Sequence, residues 1–387
     1  MALPLIPRGD VPPAEVDMYF KFSSPPGSGG VNNPDPQPAT FTFRRNLLVG
    51  IDLTLADGGR IPMWVIEDPD APAAERRTFP SRAIRVPQNA LVVADVGAQV
   101  AAHTIHWHGI EPTPMNDGVG HTSFELFGNF PYQFQPRFAG TYFYHCHFNT
   151  VLHFEMGLYG LLVVDPPDPA APTVPVTYAT GGPGFAAAYN PLAVALTDHV
   201  IHYDVEAVWV ADSIDSRWHS LGHHAFMQNA SPNDPMNPAS FSQNGILNDF
   251  RPDIFVLTGI PRRQNDPTAI IATENPLFGS LVAPTVVAGQ TLLIRVLNAD
   301  YLVQQFTLGI DVEVIGMDGR ALGVPPFMQY SRPFRIPANT PFRLASAMRW
   351  DLIVRPTTVG PIPATVEFFA QITGNRLYTA RTTISVI

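Results

Sequence analysis

The sequence has one cysteine in 387 residues, so Cys146 can form no intramolecular disulfide, and the lone thiol needs another explanation. Charge is scarce as well: 14% of residues are charged, against about 25% in an average soluble protein. The net charge of −10 leaves too few Lys and Arg to neutralise a phosphate backbone, which argues against a nucleic-acid partner. No run reaches the roughly 18 apolar residues that a membrane-spanning helix needs. The N-terminus also lacks the basic stretch and apolar core of a leader, so a mature or leaderless soluble chain is expected.

Proline, by contrast, is abundant, with 41 residues, some in clusters such as Pro166-Pro167-Asp168-Pro169. A fixed φ and a missing N–H suit strand edges and connections, so long helices are not expected. Short alternating or apolar runs bounded by turn residues predict strands at Phe41–Leu53, Ala83–Asp95, Pro131–Phe138, Gly140–His147 and Leu158–Asp165. A second series covers Val205–Val210, Thr291–Leu297, Phe306–Gly316, Pro333–Ile336, Asp351–Val354, Ala364–Thr373 and Thr382–Ile387. The Pro-rich stretch Pro166–Pro175 between them marks a boundary, giving two all-β sandwich domains, 1–165 and 166–387. Thr180–Asn190 and Gly222–Asn248, rich in Gly, Ala, Asn and Pro, are expected to be long loops.

Seven of the 12 histidines fall between His103 and His153. One cluster reads His103-Thr104-Ile105-His106-Trp107-His108-Gly109, and another reads His145-Cys146-His147, with His153 following. In a strand successive side chains alternate faces. His106 and His108 should therefore point one way with Trp107 opposite, and His145 and His147 should point away from Cys146. Two His-X-His pairs can then face one metal cluster while Cys146 serves a second metal behind it. A thiolate with two imidazoles is the donor set of a blue copper site. Structural zinc, which takes four closed N/S ligands, and a Cys–His–Asp nucleophile are the rival readings.

His103 to Gly109, Asn116-Asp117-Gly118 and Gly140-Thr141-Tyr142-Phe143-Tyr144-His145-Cys146-His147 are similar to the copper motifs of laccases and related multicopper oxidases. Phe79–Val86, Arg295–Ala299 and Gly316–Gly319 carry a weaker likeness over the rest of the chain. The resemblance implies two cupredoxin-like Greek-key sandwiches and a type 1 copper on His103, Cys146 and His153. It also implies that His106, His108, His145 and His147 form half of a type 2/type 3 copper cluster that reduces dioxygen to water. Asp117 stands where the family keeps an acid near that cluster, as a proton donor or relay. The implied partners are dioxygen and a small-molecule or protein electron donor. Members of this family are usually exported, so a periplasmic or secreted location is expected.

Two departures shape the reading. In most members the type 1 histidine follows the cysteine by five positions, whereas His153 follows Cys146 by seven, a ligand loop two residues longer. Leu158 then falls at the axial position, with Met156 as the alternative axial ligand or a core filler. Secondly, the family cluster takes eight histidines, and the 166–387 half, with His199, His202, His219, His223 and His224, has no His-X-His pair. Val303–Leu308, where such a pair would fall, reads Val-Gln-Gln-Phe-Thr-Leu. A homo-oligomer in which two first domains face each other would supply the missing ligands by symmetry; a different protein partner is the second choice, and fewer or no coppers on these histidines the third. A copper nitrite reductase and a non-catalytic type 1 electron-transfer protein are the alternatives. His219 and His223 have helical spacing and form a weaker candidate metal pair, and Glu155 beside the ligand loop is expected to be a solvated carboxylate, with contact to an amine or phenol substrate as the alternative.

Overall fold

The computed structural model describes residues 41–88, 90–110, 112, 116–119, 126–148, 150–168, 171–175, 184–187, 200–220, 249–322 and 332–387. Among the described residues the first half has eight strands: β1 (Phe41–Thr54), β2 (Arg60–Glu67), β3 (Ser81–Pro87), β4 (Val92–His103), β5 (Ile105–His108), β6 (Leu126–Phe134), β7 (Gly140–Cys146) and β8 (Tyr159–Asp165). They make two sheets, in the orders β2-β1-β4-β6 and β3-β8-β7-β5, with β1·β4 and β3·β8 parallel. This is the expected sandwich.

Alternation builds its core. Val92, Ala94, Val96 and Ala98 of β4 point inward against Ile105 and Trp107 of β5, Tyr144 and Cys146 of β7, and Leu162 and Val164 of β8. Each large apolar side chain buried there contributes about 1.5–3 kcal/mol. The run Tyr-Gly-Leu-Leu-Val-Val-Asp of β8 does not alternate because both its faces are covered, and every residue of it is buried. The cover on its outer side is the second half of the chain: Phe143, Leu161 and Val163 pack with Val210, Ile214, Val256 and Leu297.

That second half is itself a sandwich. One sheet runs Ile260–Arg263, Ile254–Leu257, Val205–Ile214, Leu292–Asn298, Arg349–Val354, Val312–Met317 and Arg320–Ala321, with Phe334–Ile336 pairing at its edge. The other runs Thr285–Val286, Arg376–Val386, Gly360–Phe369, Val303–Leu308 and Phe342–Leu344. The expected single strand Phe306–Gly316 is two strands, because the chain turns between Leu308 and Val312. Ala83–Asp95 likewise divides after Pro87. The linker contains two short paired strands, Pro167–Asp168 and Ala171–Pro175, and the expected loop Thr180–Asn190 contains the strand Gly184–Ala187, paired with Val200–Tyr203. The expected loop Gly222–Asn248 lies outside the described residues. No helix among the described residues is long and apolar enough to cross a membrane.

An ion network spans the two halves. Arg85 of β3 reaches Asp165 at 2.9 Å and Glu206 at 2.8 Å, and Glu206 is also 2.6 Å from Arg295. Arg295 in turn donates to the Thr141 hydroxyl of β7 at 2.9 Å. Burial alone would raise the Glu206 pKa, but the guanidiniums of Arg85 and Arg295 outweigh it and hold the carboxyl at about 2. Because its folded pKa lies below the ordinary value of 4.5, its stabilisation is complete above that pH and is lost as pH falls towards 2. Glu206→Gln is therefore expected to destabilise the protein by about 3 kcal/mol at neutral pH. It should also flatten the loss of stability on acidification over that interval. Urea unfolding at a series of pH values checks both; an acid limb identical to wild type would remove Glu206 from it.

Candidate metal centre

β5 and β7 carry the site, and their register decides which side chains share a face. Ile105 lies opposite Cys146, His106 opposite His145, Trp107 opposite Tyr144, and His108 opposite Phe143. Directly opposed residues of an antiparallel pair point to the same side. One face of the ribbon therefore presents His106, His108 and His145, and the other sends Cys146 and Trp107 into the core.

On the core side the thiol of Cys146 is flanked by two imidazoles. Nδ1 of His103 is 3.4 Å from Sγ, and Nδ1 of His153 is 3.3 Å from it. All three residues are fully buried. His103 comes from the end of β4 and His153 from the helical turn Thr150–Glu155 that follows β7. Burial pushes the Cys146 thiol up to about 12 and His153 down to about 3, which keeps both of these donors neutral without a metal. Cys146, as thiolate, with His103 and His153 would hold a soft cation here, its binding releasing the thiol proton. Donor chemistry and geometry thus fit the group that the sequence suggests. Met156 and Leu158 are both wholly buried in the core beside Cys146, and the amide of Cys146 donates to the Leu158 carbonyl at 2.9 Å.

On the other side, donor atoms of His106, His108 and His145 lie within 4.8 Å of one another. Two backbone carbonyls set their orientation. Nδ1 of His106 donates to the Asp117 carbonyl at 2.7 Å, and Nδ1 of His145 donates to the Cys146 carbonyl at 3.0 Å. Each proton on Nδ1 leaves the lone pair on Nε2 free for a metal, the usual way that an outer partner fixes the tautomer. Nδ1 of His108 is 3.4 Å from Nε2 of His145. Burial pushes His108 down to about 3, and Arg349 adds to the shift; His145 is also held well below its ordinary value by burial. Phe143 stacks against both rings, with centroids 4.2 Å and 5.2 Å away.

His147 is the exception to the expected group. Its ring centroid is 5.4 Å from that of His106, but its donors do not join the tight triple. Its ring centroid is also 5.6 Å from that of His145. Asp117 lies beside the histidine face, its carboxylate 3.3 Å from Nδ1 of His106. The turn that brings it there depends on Gly118, at φ +72°, where a Cβ would come within 1.7 Å of the Ile105 carbonyl oxygen.

Other expectations need correction. Glu155 is buried, not solvated: Asp215 N donates to its Oε1 at 2.8 Å, and Nε2 of His219 lies 3.5 Å from the same oxygen. His219 sits on the short helix Ser216–His219, which the sequence did not suggest, and its Nδ1 donates to the Pro62 carbonyl at 2.7 Å. His199, His223 and His224 lie outside the described residues, so the His219/His223 pair is not described. Among the described residues no histidine of the second half joins either group. From that half Arg349, 3% exposed, reaches over Gly109; a Cβ on that glycine would meet Nη2 at 2.5 Å. A lone arginine at a strand end gave no sequence signal.

The chain is similar to several known proteins. A family profile described as multicopper oxidase matches residues 74–169. The chain is 31% identical over 154 residues to an L-ascorbate oxidase of Cucumis sativus, covering 34% of this chain and 26% of that protein. It is 43% identical over 72 residues to copper resistance protein A of Pseudomonas syringae pv. tomato, covering 18% of this chain and 12% of that one. The chain thus spans about a quarter or less of these relatives' lengths. Among solved structures, the blue copper oxidase of Nitrosomonas europaea superposes with a TM-score of 0.56 at 18% identity, covering 89% of this chain and 86% of that one. A laccase from Botrytis aclada superposes with 0.55 at 16%, covering 89% and 53%. The solved structures show the cupredoxin-like fold, and the multicopper oxidase profile matches residues 74–169.

Proposed function

We propose that the chain is a laccase-like copper oxidase in which residues 1–165 hold the metals and residues 166–387 form a redox-inert support. One observation carries the reading: two donor groups sit back to back on one β-ribbon, joined through the His145–Cys146 peptide bond. His103, Cys146 and His153 would hold type 1 copper, with Leu158 or Met156 axial. His106, His108 and His145, with His147 beside them, would hold half of a type 2/type 3 cluster. Copper, when bound, supplies one-electron chemistry, taking electrons from a reducing substrate at the thiolate side and delivering them to dioxygen at the histidine side.

The protein's own residues do the rest. The Asp117 and Cys146 carbonyls hold His106 and His145 in the tautomer that ligates through Nε2. Burial keeps His108, His145 and His153 from protonating, so they stay available as ligands. Asp117, part-exposed and 3.3 Å from His106, is placed to carry protons from solvent towards the histidine face. The electron donor is a small molecule or a protein, and an exported location fits the family. A nitrite reductase would use one histidine from each pair and leave His108 idle, which disfavours it. A pure electron carrier would have no use for the histidine triple. Oxygen uptake with a phenolic donor tests the reading. We expect copper-dependent uptake that yields water; a copper-loaded, electron-accepting protein that consumes no oxygen would leave the electron-carrier reading.

A further inference from the structure

The ligand loop between Cys146 and His153 is long because it contains a helical turn, Thr150–Glu155, and that turn is fastened to the other half of the chain at both ends. At its start the hydroxyl of Tyr301 donates to the Val151 carbonyl. At its end Glu155, 3% exposed, accepts from Asp215 N at 2.8 Å and faces His219 Nε2 at 3.5 Å. His219 is itself fixed, 1% exposed, by its bond to the Pro62 carbonyl of β2. Between the two fastenings stands His153, whose Nδ1 is 3.3 Å from the Cys146 sulfur. Beyond them, the amide of Leu158 donates to the His153 carbonyl at 3.0 Å, which ties the ligand's backbone to the return into β8.

We propose that Glu155 is a positioning residue through which the second half, by Asp215 and His219, sets where His153 stands relative to Cys146. A carboxylate aimed across a domain boundary from the last residue of a one-turn helix has no local partner that explains it. An isolated helix of six residues is far too short to hold its shape in water. The latch supplies what the short helix lacks, and it gives the second half a role at the thiolate site. This inference rests on the type 1 assignment only for its spectroscopic consequence; the latch itself is a property of the metal-free chain.

The test compares Glu155→Ala and Glu155→Gln with wild type, using Arg85→Met as a control that loosens the contact between halves away from the ligand helix. Hydrogen exchange is followed on the metal-free proteins, and Cu(II) titrations are read by visible absorption and EPR. In Glu155→Ala the amides of 150–158 should exchange at least about tenfold faster, and copper affinity at the thiolate site should fall about 10- to 100-fold, as loss of an outer partner does elsewhere. The visible band and the EPR hyperfine splitting should also shift. Glu155→Gln, whose amide oxygen still accepts from Asp215 N, should restore all three. Arg85→Met should alter none of them. Wild-type exchange over 150–158 in Glu155→Ala would overturn the latch, and wild-type affinity and spectrum there would overturn its effect on the ligand. If wild type takes up no copper at Cys146 the proposed function falls, while the exchange measurement still decides the latch.

Discussion

Replacing Cys146 with serine should abolish the visible absorption of the copper-loaded protein while leaving its fold in place. The band expected of wild type arises from charge transfer between a thiolate and Cu(II), and this chain has no second thiol to provide it. Serine keeps the shape of the side chain, and its hydroxyl stays protonated beside His103 and His153 at any ordinary pH. The cost to stability is that of burying a hydroxyl in a core site beside Trp107 and Leu152, about 1–3 kcal/mol. Substrate oxidation should fall with the colour, because the same sulfur carries the entry site. Absorption, EPR and near-UV circular dichroism on the loaded variant separate loss of the site from loss of the fold. A fully loaded, oxidised wild type without an intense visible band would sink the type 1 assignment itself.

The parts of this site that were legible in the sequence are those governed by short-range periodicity. His-Trp-His and His-Cys-His predict opposite faces as soon as they are placed on strands, and the register of β5 on β7 bears out that geometry for His106, His108, His145 and Cys146. What stayed hidden depends on pairs distant in sequence. Glu155 and Asp215 are 60 positions apart, and nothing in either segment announces that they meet. The helix carrying His153 is one turn long, too short for a 3.6-residue pattern to register. β2 was missed because Arg-Ile-Pro-Met-Trp-Val-Ile-Glu turns from alternating to wholly buried midway, once the strand passes beneath the other half. The hairpin Ile254–Leu257 and Ile260–Arg263 was missed for a related reason: both strands are four residues long, and Thr258, a non-glycine residue at φ 45°, shares the turn with Gly259.

Oxygen reduction should require assembly, and the expected effect of dilution is its complete loss. The argument is a count of ligands. Each chain presents His106, His108 and His145 as one group, with His147 beside them, and the second half adds no histidine to that group among the described residues. A three-copper cluster of the family's kind needs about twice as many imidazoles. The histidine face is still approachable, with the His106 side chain 16% and Asp117 26% exposed, so a second copy related by two-fold symmetry can bring the same patch to meet it. Copper should then approach one ion per chain at the thiolate site plus three per pair of chains. Because the shared ions bind only the associated state, removing them should weaken the dimer by linkage. Dilution below the dissociation constant should abolish oxygen uptake while sparing the visible band, since His103, Cys146 and His153 all come from one chain. Sedimentation velocity run beside oxygen electrode measurements over the same concentration range checks this. A copper-loaded monomer that reduces oxygen with no partner protein present would eliminate the shared cluster.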